Sequence, residues 1–308
     1  MNWRAKSLIQ NLVSTLPPRL GDPVYHAVQG ARGLRPDTGQ QLAFLTRMAQ
    51  SIERLQGRSV EGGRFVELGS GWFPVTPLFL MACGAASVET FDVSRHYSAQ
   101  RICLAAAALQ KAVAGLAGHP VLTGAEQTGK LPEGIRYHHT VPLQEFTHLA
   151  PGSIDTAFSN AVLAYIPPHI IERIHRRSLE WMKDDGLWVH MVSCSDMRAY
   201  QDPGLHAVDF LRYSDEEWAK IGNNRFTFHN RLRRPQYFDL FRSAGWYVHE
   251  TGADIPEQTL ATLHRVPVHA QFQRFSPEDL VAGALWFVLG RPPHPSRTGI
   301  DRGRFPVA

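Results

Sequence analysis

The stretch Phe65-Val66-Glu67-Leu68-Gly69-Ser70-Gly71, followed about twenty residues on by Val88-Glu89-Thr90-Phe91-Asp92-Val93-Ser94, decides how the rest of the chain is read. An apolar run that ends in an acid and two glycines one residue apart predicts a strand turning sharply into a helix. Gly69 and Gly71 let backbone approach a ligand closely, because no Cβ intervenes and positive φ costs them little. A cofactor would sit there. A dinucleotide site asks for a further glycine three places after Gly71, where this chain has Pro74. Glu67, two places before the first glycine, would repel a pyrophosphate and attract a cationic, amine-bearing ligand.

S-adenosylmethionine is a ligand of that kind. Through Glu67, Gly69 and Gly71 at the end of the first strand, and Asp92 at the end of the second, the chain resembles the class I S-adenosylmethionine-dependent methyltransferases. Phe73 stands where the family motif has its third glycine. The line Asp155, Ser159, Leu163, Ile166 keeps the family pattern around the fourth strand, with Tyr165 where many relatives carry histidine. The lysine-to-glycine turn at 183–186 before an apolar strand is again similar to the family. The resemblance covers roughly residues 60–195 and extends more weakly through 237–249. It implies an α/β fold, a doubly wound seven-stranded, mostly parallel sheet with the seventh strand antiparallel, and S-adenosyl-L-methionine as cofactor. It also implies roles. Glu67 would meet the methionine amine, Gly69, Ser70 and Gly71 would admit the cofactor, and Asp92 with Val93 would hold the ribose end. Thr140 or Val141 would flank the adenine, and Ser159 and Asn160 would border the sulfonium.

Composition narrows the class. The 308 residues are 44% hydrophobic and 19% charged, ordinary for a globular protein with a sizeable core. A net charge of +4 and a pI near 9.1, without a long basic block, argue against nucleic acid as partner. Cys83, Cys103 and Cys194 lie far apart, so neither a disulfide framework nor a zinc site is encoded, and no metal is expected. No apolar run suits a signal peptide or a membrane span, so the expectation is a cytoplasmic chain without stable membrane insertion. The oligomeric state is left open.

Periodicity orders the remainder. Residues 1–60 read as an N-terminal helical cover, with Trp3, Leu8, Ile9, Leu12, Val13 and Leu16 on one face, then a second helix at 38–55 presenting Leu42, Leu45, Met48, Ala49 and Ile52. The methyltransferase-like domain runs over 61–295 and a tail over 296–308. Strands are expected at 88–93, 135–139, within 153–163, and at 187–192, 246–249 and 285–289. Helices are expected at 77–84, 99–114, from Pro168 onward, and at 237–245. A loose glycine-rich segment is expected between 115 and 134.

The insertion at 193–234 is where a substrate should be met, because ligands of open α/β sheets bind beyond the carboxyl ends of the strands. Its candidate substrate-binding residues are His206, Tyr213, Asn224, Arg225, His229, Asn230 and Arg231. An oxygen acceptor benefits from a general base, for which Asp196 and His190 are the first candidates, followed by His206 and His229 in the insertion. The reading is a methyltransferase acting on a small polar acceptor, most simply O-methylation of a sugar or hydroxylated metabolite. Two alternatives stand beside it, an NAD(P)-dependent oxidoreductase and a catalytically inactive methyltransferase-like binding subunit.

Overall fold

The computed structural model describes residues 17, 19, 35–200, 202–224 and 228–292. The first amphipathic helix expected in the N-terminal cover, the 296–308 tail and Arg225 lie outside the described residues.

The described chain begins with α1 (Thr38–Gln56), capped by the Asp37 carboxylate on the Gln40 N–H and ended by Gly57 at φ +66°. It buries Phe44, Leu45, Met48 and Ile52. β1 (Arg64–Leu68), α2 (Val75–Ala82), β2 (Ser87–Asp92) and α3 (Ala99–Ala112) follow as expected. The segment expected to be loose carries α4 (Pro120–Thr128), with proline at its first turn, where no N–H is needed, and Gly129 as its left-handed cap. Next come β3 (Ile135–His139), β4 (Ile154–Asn160), α5 (Pro168–Trp181) and β5 (Met182–Ser193). β5 starts earlier than expected: Ile154 pairs with Met182 and Thr156 with Leu187, so the lysine-to-glycine turn is a bulge within the strand. The chain closes with α6 (Asp215–Ile221), α7 (Arg234–Ser243), β6 (Tyr247–Asp254), α8 (Glu257–Thr262), α9 (Pro277–Val281) and β7 (Ala284–Gly290).

The seven strands lie in the order β3-β2-β1-β4-β5-β7-β6. β1 to β5 pair in parallel, and β7 runs antiparallel to both β5 and β6. This is the doubly wound, mostly parallel sheet that the resemblance implies. One face is covered by α1, α2, α3 and α4 through Leu45, Met48, Phe65, Leu78, Leu109 and Phe158. The other is covered by α5 and α7 through Val66, Ile171, Ile174, Trp188, Phe241 and Phe287.

The chain reverses at the carboxyl ends of the parallel strands. The expected insertion between β5 and α7 is there, and so is a second one between β6 and β7, because Ala284 pairs with both Ser193 and Asp254. The two share one apolar cluster: Val208, Phe210, Leu211 and Trp218 from the first, and Val266, Phe272, Leu280 and Val281 from the second or its last helix. They form a lobe that neither could form alone. Arg233, fully buried, fastens it, donating to the carbonyls of Arg231, Leu280 and Cys194 at 3.1, 3.3 and 3.1 Å.

Arg233→Met keeps the bulk but leaves those buried carbonyls without a donor, so it should destabilise the fold by about 3 kcal/mol. Urea denaturation reads this as a lower midpoint, and Arg233→Lys should not restore it, since one ammonium nitrogen cannot reach three carbonyls that the guanidinium meets from three separate nitrogens. An unchanged midpoint would show that the lobe does not depend on this side chain.

Candidate functional site

The site is built at the carboxyl ends of β1 and β2. The register sets Glu67 beside Thr90 and Leu68 beside Phe91, so the glycine turn after β1 lies against Asp92. One Asp92 oxygen accepts both the N–H and the hydroxyl of Ser70, each at 3.1 Å, and the other accepts the Ser94 N–H at 2.9 Å. His96 Nε2 lies 3.4 Å from the same carboxylate. Asp92 is thus fastened to the glycine turn that follows Glu67, near enough for its charge to act on the Glu67 carboxyl. Gly71 has φ +60° and open space where a Cβ would stand, while Val93, next to Asp92, is 72% exposed. An apolar side chain left in the open at a strand end offers a flat ligand a place to lie.

Glu67 is deeper than expected. Its Oε2 accepts the Thr90 hydroxyl at 2.5 Å, and the side chain is buried beneath the turn rather than on its surface. Burial pushes its carboxyl up to about 8, the Thr90 hydrogen bond opposing and the Asp92 charge adding to the rise. It is therefore mostly protonated at neutral pH.

Around the turn the structure adds residues that sequence reasoning missed. The Tyr97 hydroxyl donates to the Ser70 carbonyl at 2.9 Å, and its ring stacks on Tyr137 at 4.2 Å. The Tyr137 hydroxyl donates to the Ser94 carbonyl and accepts the His96 N–H. Trp72 packs on His96 at 4.6 Å with the Arg101 guanidinium over its ring. The signal was Ser94-Arg95-His96-Tyr97, a polar and aromatic run directly after Asp92.

On the opposite flank, Val162 fills the space over Gly69: a Cβ there would meet its Cγ2 at 2.3 Å. Asn160, at the end of β4, is half-buried with a buried Oδ1 that has no hydrogen-bond partner among the described residues. Thr140, after β3, is exposed with φ +64°, its N–H held by the Asp92 carbonyl, and Val141 is half-buried beside it.

Several expected site residues serve other purposes. Ser159, expected to border the sulfonium, has its side chain fully buried, with the hydroxyl 2.8 Å from His190 Nδ1. His190 itself is fully buried, with Nε2 2.9 Å from His175 Nε2, and burial then the neighbouring His175 hold it well below the ordinary imidazole value. Asp196 is buried and held in a fork by Arg198 at 2.7 to 3.2 Å, so its lone pairs are spent on that ion pair.

The substrate-binding candidates mainly hold the lobe together. Arg231, buried at φ +59°, donates to the carbonyls of Phe210, Tyr213 and Ser214 and pairs with Asp215. Asn230 clamps the loop after β4, donating to the Leu163 and Ile166 carbonyls at 2.8 and 2.9 Å. His206 bridges the two insertions through Thr262 and the Thr259 carbonyl. Tyr213 stacks on Trp218, and Asn224 is half-buried. His229 is buried edge-on between Tyr165 and Phe210, and neither ring nitrogen has a partner among the described residues.

No family model matches the chain, and no curated protein matches it. Solved structures that superpose on it include an S-adenosylmethionine-dependent methyltransferase from Mesorhizobium loti, 15% identical over 77% of this chain and 96% of that chain, with a TM-score of 0.44. A methyltransferase of the same kind from Methanosarcina mazei is 14% identical over 78% and 96%, with a TM-score of 0.45. The geranyl diphosphate C-methyltransferase from Streptomyces coelicolor, in complex with Mg2+, geranyl diphosphate and S-adenosyl-L-homocysteine, is 11% identical over 80% and 79%, again at 0.45. The fold stands on its strand order.

Glu67 yields a pH prediction. Its carboxyl titrates near 8 when folded and near 4.5 when unfolded, so the folded state holds the extra proton between those values. Its contribution to stability is fully present below pH 4.5 and is lost as pH rises toward 8. Glu67→Gln should flatten that slope and be more stable than the parent at pH 8 by a few kcal/mol, read from urea midpoints across the range. Parallel pH profiles for the two proteins would disprove it.

Proposed function

We propose that this protein is an S-adenosylmethionine-dependent methyltransferase. The observation that carries the reading is the Asp92 carboxylate fastening an open glycine turn at the ends of the adjacent strands β1 and β2, beside the β1–β4 switch in strand order, where α/β sheets bind nucleosides. The residues present fit the cofactor. Gly71 leaves room for it, the exposed Val93 offers an apolar seat for a base, Asp92 can take ribose hydroxyls, and the orphaned Oδ1 of Asn160 awaits a positive or N–H-bearing partner. When bound, S-adenosylmethionine supplies an electrophilic methyl group. Glu67, nearly neutral beneath the turn, adds little repulsion to an anionic ligand group and can ionise beside a cationic one.

The acceptor is proposed to be a hydroxyl of a small polar molecule, a sugar or hydroxylated metabolite, entering over the loop after β4. The exposed Tyr165 side chain on that loop supports this, since its hydroxyl can donate to or accept from such a molecule. With His190 and Asp196 tied into the scaffold, the rate would come from holding the reactants in line rather than from either of those bases. That same sequestration favours a second reading, a methyltransferase-like binding subunit without turnover.

Calorimetry with S-adenosylmethionine and S-adenosylhomocysteine tests the cofactor reading. The parent should bind both, and Asp92→Ala should weaken both by about tenfold or more while keeping the parent's circular dichroism. Equal affinity in the variant would remove Asp92 from the ribose site, and no binding by the parent would remove the assignment. Tight cofactor binding without methyl transfer across a panel of hydroxylated acceptors would select the second reading.

A further inference from the structure

Within the lobe, apart from the residues assigned to the cofactor, lies a cavity of about 340 Å³. That volume is at the small end of ligand sites, which run from about 300 to 1,000 Å³. Its walls are aromatic: Trp218 and Phe272, both buried, with Phe228 and Phe275. Flat rings of this kind give a planar apolar molecule large contact at little cost in side-chain freedom.

The charges of the lining are unequal. Asp215 is its carboxylate, and it is already paired with Arg231. The Arg231 guanidinium is buried 5.3 Å from the Trp218 ring and 5.1 Å from the Phe272 ring, so its charge acts within the wall. Arg274 is exposed at the edge, its guanidinium 4.9 Å from the centre of the Phe275 ring, and it forms no ion pair with a described carboxylate. Two guanidinium groups thus face one carboxylate. His229, also in the lining, reports the same field. Burial, then Arg233, Arg231 and Arg198, push its imidazole down to about 3, so it stays neutral.

We propose that this cavity binds a small aromatic carboxylate, its ring held by Trp218, Phe272 and Phe275 and its carboxylate by Arg274. An aromatic body answers the walls, and one negative charge answers the uncompensated guanidinium. The site is separate from the Gly69–Gly71 turn and does not rest on the methyl-transfer reading.

The test is a titration of the full-length chain with benzoate, followed by ligand-observed NMR, with benzyl alcohol as the uncharged counterpart of similar size. Benzoate should bind saturably, and benzyl alcohol should bind about tenfold more weakly or worse. Arg274→Glu, on an exposed side chain that the fold does not need, should weaken benzoate by a similar factor, and Gln271→Trp, which fills the cavity, should abolish it. No saturable binding, equal binding of the acid and the alcohol, or an unchanged benzoate affinity in Arg274→Glu would overturn the proposal. Because the titration contains no nucleoside, its failure leaves the cofactor reading untouched.

Discussion

The geometry of the candidate site depends on one carboxylate. Asp92 accepts two hydrogen bonds from Ser70 on one oxygen and one from the Ser94 N–H on the other, so a single side chain ties the end of β1 to the end of β2. Charged acceptors make stronger hydrogen bonds than neutral ones, and these are shared between two backbone turns that would otherwise drift separately. The Gly69 N–H reinforces the tie by donating to the Phe91 carbonyl at 2.8 Å. The two glycines then differ in what demands them. At Gly69 the demand is steric as well as conformational, since Val162 occupies the place of a side chain and φ is +86°. At Gly71 no atom intrudes, and only the backbone angle asks for glycine. The turn is therefore closed against Val162 at Gly69 and open at Gly71.

The lobe obeys a different constraint. Long connections outside helices and strands carry carbonyls that must find donors once buried. Here two arginines supply them. Arg231 and Arg233 serve five backbone carbonyls on segments far apart in sequence, those of Phe210, Tyr213, Ser214, Leu280 and Cys194, and Arg233 also serves that of Arg231. Arg198 binds Asp196 and Asp209. A guanidinium has five N–H donors in a fixed plane, which suits it to this work better than lysine. The polar density of the insertion is thus largely consumed in making the lobe stand.

This explains where the sequence was legible. The glycine turn, the strands and the sheet class depend on local patterns, short apolar runs with period two and glycine spacing, and those patterns are visible in one dimension. α4 was hidden because Gly118, Pro120 and Gly124 look like breakers, although a proline at the first helical position assists a helix. The lobe was half visible, since its partner surface arrives after β6 and shares nothing local with the first insertion. Arginine, asparagine and histidine were read there as ligand contacts because the same donors serve substrates and buried carbonyls alike. One misreading was avoidable. Along β5, Trp188 and Val192 lie in the core beneath α5 and α7, and His190 shares their parity, so the alternation already placed it inside.

The fate of His190 can be worked out proton by proton. His175 Nδ1 lies 2.7 Å from the Ile171 carbonyl, which can only accept, so that nitrogen carries the hydrogen. Burial pushes His175 down to about 4, so the ring is neutral and its Nε2 must be an acceptor. His190 Nε2, 2.9 Å away, is then the donor, and its Nδ1 is left to accept from the Ser159 hydroxyl. Each ring nitrogen in the chain from Ser159 to Ile171 has a partner, and the three side chains are buried. Pulling a proton from an acceptor would require His190 to charge in a place where both burial and its histidine neighbour oppose charge. The two histidines and Ser159 are therefore spent on the architecture of the sheet.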